Sequence, residues 1–389
     1  MTSRATSMGR RENLVAAIAT VGACDIAMGL TLQLLPLTME RAGIPAWFMG
    51  VNAAMGPIGI LLAGPFLPRV IGHVGSKRMA YGAIFSIVAL LVAFKLAPSF
   101  WLWFPLRFAF GIAAGTLFTV SEAWILTFAD DATRGRVMSI YTSILAITFS
   151  VGPLVIPFTG VDGWAPWLIG CACVAVSVVP LALVTVSDDA FRSTEGGSFF
   201  RFLARAPMLL FAVAAATLFD SVFISFFTIF GLRHGLLLET ASSILGIGII
   251  GNVLLFYPIG LLADRWSRRG VVLLTAAATV ALSFSLPFLI DTPAIWLATI
   301  LLSTSAFGVY VVALAVMGDT FKGPDVVAGS AAFAAMWGIG GLAGPPIAGF
   351  AIDHFGIDAM PATLAAFYVV LLAGLAFTGG HLVREAPRG

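Results

Sequence analysis

Apolar residues in this chain come in long runs, not in the alternation of a half-buried strand or the narrow stripe of a soluble amphipathic helix. Twelve such runs follow one another: residues 14–37, 49–68, 79–97, 100–128, 137–158, 165–186, 207–230, 241–262, 271–290, 295–318, 328–351 and 362–383. A helix rises about 1.5 Å per residue, so roughly 20 residues match the thickness of a bilayer's hydrocarbon core. Hydrocarbon offers the backbone no hydrogen-bond partners, so each run must be helical throughout. The predicted fold class is an all-α membrane protein of twelve transmembrane helices. Only residues 187–206 form a sizeable polar stretch.

Composition agrees with a lipid environment. Charged residues make up 10% of the 389, against about 25% in a soluble domain, and mean hydropathy is +1.02. The net charge of +2 is small and dispersed, which argues against nucleic acid as a partner. Cys24, Cys171 and Cys173 lie inside apolar runs without the spacing of a disulfide framework or zinc site, so neither metal nor cofactor is expected. An enzyme is also disfavoured. No H-E-x-x-H string or Ser/His dyad lies within a span, and His73, His234, His354 and His381 fall in loops or at a helix end. Arg4, Arg10 and Arg11 before an apolar run resemble a signal peptide, but that run extends to Leu37 and contains Asp25, so it is read as the first span.

Basic residues orient the chain. If the N-terminus is cytoplasmic, 17 of the 21 Lys and Arg fall inside and only Arg41, Lys95 and Arg233 fall near the outer face, with Arg107 in a span. Both termini are therefore expected in the cytoplasm of a bacterium, with the chain in its inner membrane. Special residues also recur at about half the chain length: Asp25 with Asp220, Gly64 with Gly260, Glu122 with Asp319, and Gly152-Pro153 with Gly344-Pro345. The offsets run from 192 to 197 residues and predict two six-helix halves, 1–186 and 207–389, joined by a cytoplasmic connector over 187–206. Proteins built from such repeats place their solute site at the midplane.

At the end of the eighth span the chain reads GLLADRWSRRG, in which Gly260, Asp264, Arg265, Arg268 and Arg269 follow a G-x-x-x-D-R-x-G/S-R-R pattern. The fourth span carries RFAFG, Arg107 to Gly111. Both strings resemble loop and helix motifs of the major facilitator superfamily, and SEAW at Ser121–Trp124 followed by Arg134-Gly135-Arg136 is similar to its bacterial YcaD-like branch. The first-half copy of the loop departs from the pattern, with Pro68 in place of the acid. The resemblance implies a monomeric secondary transporter working by alternating access. On their own chemistry, Asp264, Arg265, Arg268, Arg269, Arg134, Arg136, Glu122 and Asp319 form either a cytoplasmic gate or a set of interfacial anchors, with Asp264 placed to cap nearby backbone. Gly152, Pro153, Gly344 and Pro345 interrupt helical hydrogen bonding and are expected to be bending points.

Ionisable residues within spans nominate the site. A charge at the bilayer centre costs at least about 2.5–3.5 kcal/mol, so each needs a wet cavity or a partner. Asp25 and Asp220 lie roughly 17–20 Å into their helices, near the midplane. They are candidates for a solute or proton site, or else for a structural pair. Arg107 lies in the outer third, placed to meet a solute anion or Asp25. Gln33 and Asn252 are weaker candidates, as are Tyr141, Tyr257, Tyr310 and Trp337, since polar groups in spans also join helices together. Without an ATP-binding loop the driving force is a gradient, with protons the expected ion because buried carboxylates load and release them. Phe219, Phe223, Phe226, Phe227 and Phe230 form one face beside Asp220. If that face lines the site, it suits an aromatic vitamin such as riboflavin; if it packs against a helix, it says nothing of the solute. Drug or metabolite efflux by proton antiport and a transport-inactive sensor are the other readings.

Overall fold

In a computed structural model, residues 9–128, 134–185, 205–321, 324–377 and 382 are described, and none of them lies in a strand. The spans are α1 (Arg10–Arg41), α2 (Ala46–Ala63), α3 (Ser76–Leu96), α4 (Trp103–Phe128), α5 (Arg134–Thr159) and α6, in two pieces (Ala165–Val176 and Val178–Leu183). They continue as α7 (Pro207–Arg233), α8 (Leu238–Arg265), α9 (Arg268–Leu289), α10 (Ala294–Thr320), α11 (Pro324–Phe355) and α12 (Ala359–Phe377). Twelve helices among the described residues are long and apolar enough to cross a membrane, as the run pattern predicts. A short helix, Leu67–Val74, sits between α2 and α3 in what the hydropathy pattern reads as loop.

Helix ends extend past the apolar runs wherever a polar residue still continues the backbone ladder. Thus α1 begins at Arg10 and ends at Arg41, and Pro324 opens α11 at a position where a missing N–H costs nothing. Gly43, Gly75, Gly160, Gly163, Gly235 and Gly356 adopt positive φ, and all lie between or at the ends of spans, where the chain must reverse.

Compactness divides the chain into residues 1–34 with 58–194, and residues 35–57 with 195–389. The cut does not follow the connector: the last turns of α1 and most of α2 belong with the second half of the chain.

In the first unit α5 crosses α1 at Gly152. A side chain there would overlap the Leu30 amide and the Gly29 carbonyl carbon, so only glycine permits the approach. In the second unit α11 crosses α7 in the same manner, with Gly340 against Thr217 and Gly344 against the Leu218 carbonyl and Val222. Thr217 holds this crossing by donating to the Met336 carbonyl at 3.0 Å. Pro153 and Pro345 lie inside continuous helices immediately after these glycines. The Gly-Pro pairs expected as bending points therefore sit at close helix crossings, where a side chain at the glycine would overlap the neighbouring helix.

Candidate functional site

In the first unit Asp25 lies at the middle of α1, fifteen residues from Arg10 and sixteen from Arg41, and is 4% exposed. The Thr148 hydroxyl donates to its carboxylate at 3.2 Å and shares that proton with the Ile144 carbonyl at 2.9 Å. Thr148 is a site residue that sequence reasoning missed, because hydroxyls in spans are common and usually bond their own helix. Tyr141, seven residues before Thr148 and so on the same face of α5, is 1% exposed and lies within electrostatic reach of both Asp25 and Glu122. Its hydroxyl has no hydrogen-bond partner among the described residues. Glu122 is solvent-exposed and joins no ion pair there, while the side chains of Arg134 and Arg136 lie outside the described residues.

Arg107 does not pair with Asp25. It is 3% exposed, and its two terminal nitrogens meet no hydrogen-bond partner among the described residues. Arg107 lies one turn from the start of α4, whereas Asp25 lies midway along α1. Gln33 is likewise buried, at 1% exposure.

In the second unit Asp220 occupies the centre of α7, thirteen residues from each end, and is partly exposed. No hydrogen bond or ion pair reaches its carboxylate from the described residues, although Tyr368 of α12 lies within electrostatic reach. The spacing that maps Gly152 onto Gly344 maps Thr148 onto Gly340, so the hydroxyl that holds Asp25 has no counterpart at Asp220. The two acids recur by sequence, but their surroundings differ. Asn252 of α8 is 5% exposed, and its side-chain oxygen has no hydrogen-bond partner among the described residues.

The phenylalanine face of α7 does not line an open site. Phe223 and Phe227 are 2% and 0% exposed, and Phe219 stacks on Phe223 at 5.2 Å while meeting Tyr368 edge-on at 6.1 Å. Phe219 packs against α12, and Phe223 and Phe227 are buried in a row of rings along α7 itself. Helical spacing shows that residues share a face but not what that face meets.

At the end of the second unit where α8, α9 and α10 meet, Arg268 joins the ends of three helices. Its guanidinium lies 3.3 Å from Asp264 at the end of α8 and 2.7 Å from Asp319 at the end of α10. Arg265 and Arg269 are exposed. Asp264 does not cap backbone, as the sequence suggested; Ser267 does, accepting from Gly270 N–H at 2.8 Å to start α9. The loop string is thus one N-cap plus one charge bridge. In the first half, Lys77 instead donates to the Ala182 and Val184 carbonyls, closing the end of α6. Exposed pairs contribute about 0.2–1 kcal/mol each, so the bridge is poorly suited to stabilising the fold and well suited to opening. Arg268→Gln is accordingly expected to leave the melting temperature within a few degrees of wild type while changing the transport rate; a large fall in melting temperature would make the bridge structural.

The opposite end of this unit is pinned differently. Arg233 grips Glu40 with two parallel hydrogen bonds of 2.7 and 2.8 Å, and Asp353 accepts the Ala46 and Trp47 amides at 3.0 and 2.8 Å, capping α2 from α11. Arg233, an exception to the inward bias of basic residues, is neutralised by this contact.

The profile of the Major Facilitator Superfamily matches residues 17–317 and again 209–388. The chain belongs to the Major Facilitator Superfamily. Its curated relatives in the superfamily include the uncharacterized transporter YfkF of Bacillus subtilis, 25% identical over 86% of this chain and 87% of that one. The uncharacterized transporter YcaD of Escherichia coli is 22% identical over 92% of this chain and 93% of its own. Among solved superfamily structures, the nucleoside transporter NupG superposes with a TM-score of 0.72 at 14% identity, covering 95% of this chain and 98% of that one. A bacterial homolog of the human lysosomal transporter Spinster, inward-facing and unoccupied, gives 0.75 at 16% identity over 97% and 99%. At these identities the likeness is one of fold. Superfamily membership makes the chain a multi-pass membrane transport protein for a small solute, and not an enzyme.

Proposed function

We propose that the protein is a secondary transporter that moves a small organic solute by alternating access, coupled to protons through Asp25 and Asp220, with both termini in the cytoplasm of a bacterial inner membrane. One observation carries the reading: each unit holds one carboxylate at the centre of a long helix, Asp25 in α1 and Asp220 in α7, and neither has a cationic partner among the described residues. A permanent structural pair would neutralise such a charge; a proton site leaves it available. Riboflavin stood on the α7 phenylalanine face, and with those rings packed inside the unit that support is gone. The nucleoside specificity of NupG belongs to that protein, and a nucleoside is one solute to try.

The test is a proteoliposome assay in which an imposed pH gradient drives uptake from a defined mixture of nucleosides, vitamins including riboflavin, amino acids and drugs, read by mass spectrometry of the lumen. At least one solute is expected to accumulate above empty vesicles, and the direction of the effective gradient separates symport from antiport. No accumulation from any class with correctly inserted protein would favour the sensor reading. Topology is tested separately: single cysteines at Ser193 and Asp162 are expected to label from opposite sides of the membrane, and labelling of both from outside would refute cytoplasmic termini.

A further inference from the structure

Three helices of the second unit bring together rings that no single stretch of sequence announces. Phe256 of α8 meets Phe307 of α10 at 6.0 Å, and Phe307 meets Trp337 of α11 at 6.2 Å. Tyr310 stands edge-on to Trp337 at 5.8 Å, backed by Phe333 at 6.3 Å. Unlike the α7 rings, these keep open faces: Trp337 is 37% exposed, and Phe256, Phe307 and Tyr310 are half-buried.

Two lines of contact link this wall to the helices around Asp220. Trp337 lies one turn before Gly341, whose free face meets Ser221, the residue after Asp220, and also Pro57 of α2. That side of α11 is therefore turned toward α7 and α2, away from the side that exposes Ile339 and Leu342. Independently, the Tyr368 hydroxyl donates at 2.9 Å to the carbonyl of Ala306, the neighbour of Phe307, while Tyr368 lies within reach of Asp220. Phe307 lies at the middle of α10 as Asp220 does in α7, and Trp337 lies one turn from the α11 residue that meets Ser221.

A wall of π faces next to a carboxylate without a cationic partner has a specific chemical complement. Ring faces carry negative quadrupole density and attract a cation, most strongly where water is excluded, and tryptophan is the strongest of the three ring types. A neutral ring would gain the stacking but leave Asp220 unmatched. We propose that Phe256, Phe307, Tyr310 and Trp337, with Asp220 as counter-charge, form a subsite for a flat aromatic cation or the aromatic, positively charged part of a larger solute. The subsite rests on the transport reading for its purpose, but its binding chemistry is measurable without flux.

The probes are 1-methylquinolinium, which carries a fixed positive charge, and quinoline, the same ring system uncharged at pH 8. Each is titrated calorimetrically into the full chain in lipid nanodiscs, with empty discs as the blank. Methylquinolinium is expected to bind about tenfold more tightly than quinoline. Trp337→Leu with Tyr310→Leu weakens both probes about tenfold, Trp337→Phe keeps affinity within about twofold, and Asp220→Asn abolishes the preference for the cation. Trp101→Leu, an exposed ring in the other unit, changes neither. Equal affinity for the two probes, binding of neither, or unchanged affinity in the double leucine variant running as a single species would overturn the subsite. Cation binding without any flux in proteoliposomes would leave the subsite standing and remove the transport reading.

Discussion

Replacing both midplane acids, Asp25→Asn with Asp220→Asn, is expected to reduce pH-gradient-driven accumulation to the level set by simple equilibration, while downhill exchange of the same solute persists. An amide keeps the size and much of the hydrogen bonding of the carboxyl group but cannot bind and release a proton, so the loss falls on coupling and not on folding. The single variants are expected to differ. Asp25 has a hydroxyl partner in Thr148 and is nearly sealed, whereas Asp220 has no such partner and is partly open. Asp220→Asn alone is therefore expected to abolish coupling, and Asp25→Asn to impair it with a shifted pH profile of transport. The measurement is accumulation ratio against pH with and without an uncoupler. Full proton dependence in the double variant would remove both residues from the coupling role.

The second large effect is mechanical. Gly152→Ala puts a methyl group into the backbone of α1 at Leu30, and because the obstacle is backbone, no rotamer change relieves it. Overpacking of this kind costs about 1–3 kcal/mol, and Gly152→Val, with a larger branched side chain, is expected to cost more and to yield little folded protein. Gly82 of α3 supplies the contrast, because a side chain there would meet nothing within 4 Å. Gly82→Ala is expected to be neutral or to stabilise by up to about 1 kcal/mol through helix propensity. Thermal unfolding followed by intrinsic fluorescence in detergent distinguishes them. Equal melting of the two alanine variants would mean that the α1 and α5 crossing tolerates separation.

What could be read from the sequence, and what could not, divides along physical lines. The spans were legible because burying a backbone in lipid demands an unbroken apolar run, and the depth of Asp25 and Asp220 followed from counting residues at a fixed rise. The Arg268 bridge was legible in part: the loop string supplied Arg268 and Asp264, and the repeat supplied Asp319, but the capping role belonged to Ser267. For the α7 rings the sequence left two readings open, a wall for the solute or packing within the protein, because a shared helical face does not say which neighbour it meets. Thr148 escaped notice for the opposite reason, since its partner lies 123 residues away. Tyr310 and Trp337 were nominated one by one from sequence, but their convergence with Phe256 and Phe307 was not legible, because it exists only where three separate helices meet.

The interleaving of residues 35–57 with the second half also bears on how this gene can be divided. A fragment that begins at the connector would lack Glu40, leaving Arg233 without its carboxylate. It would also lack the Ala46 and Trp47 amides that Asp353 accepts, and the Ala46 backbone that fills the notch at Gly349. The sequence repeat and the compact unit are thus different objects in this protein. A fragment cut at the connector would therefore lose the contacts that residues 35–57 make with α7 and α11.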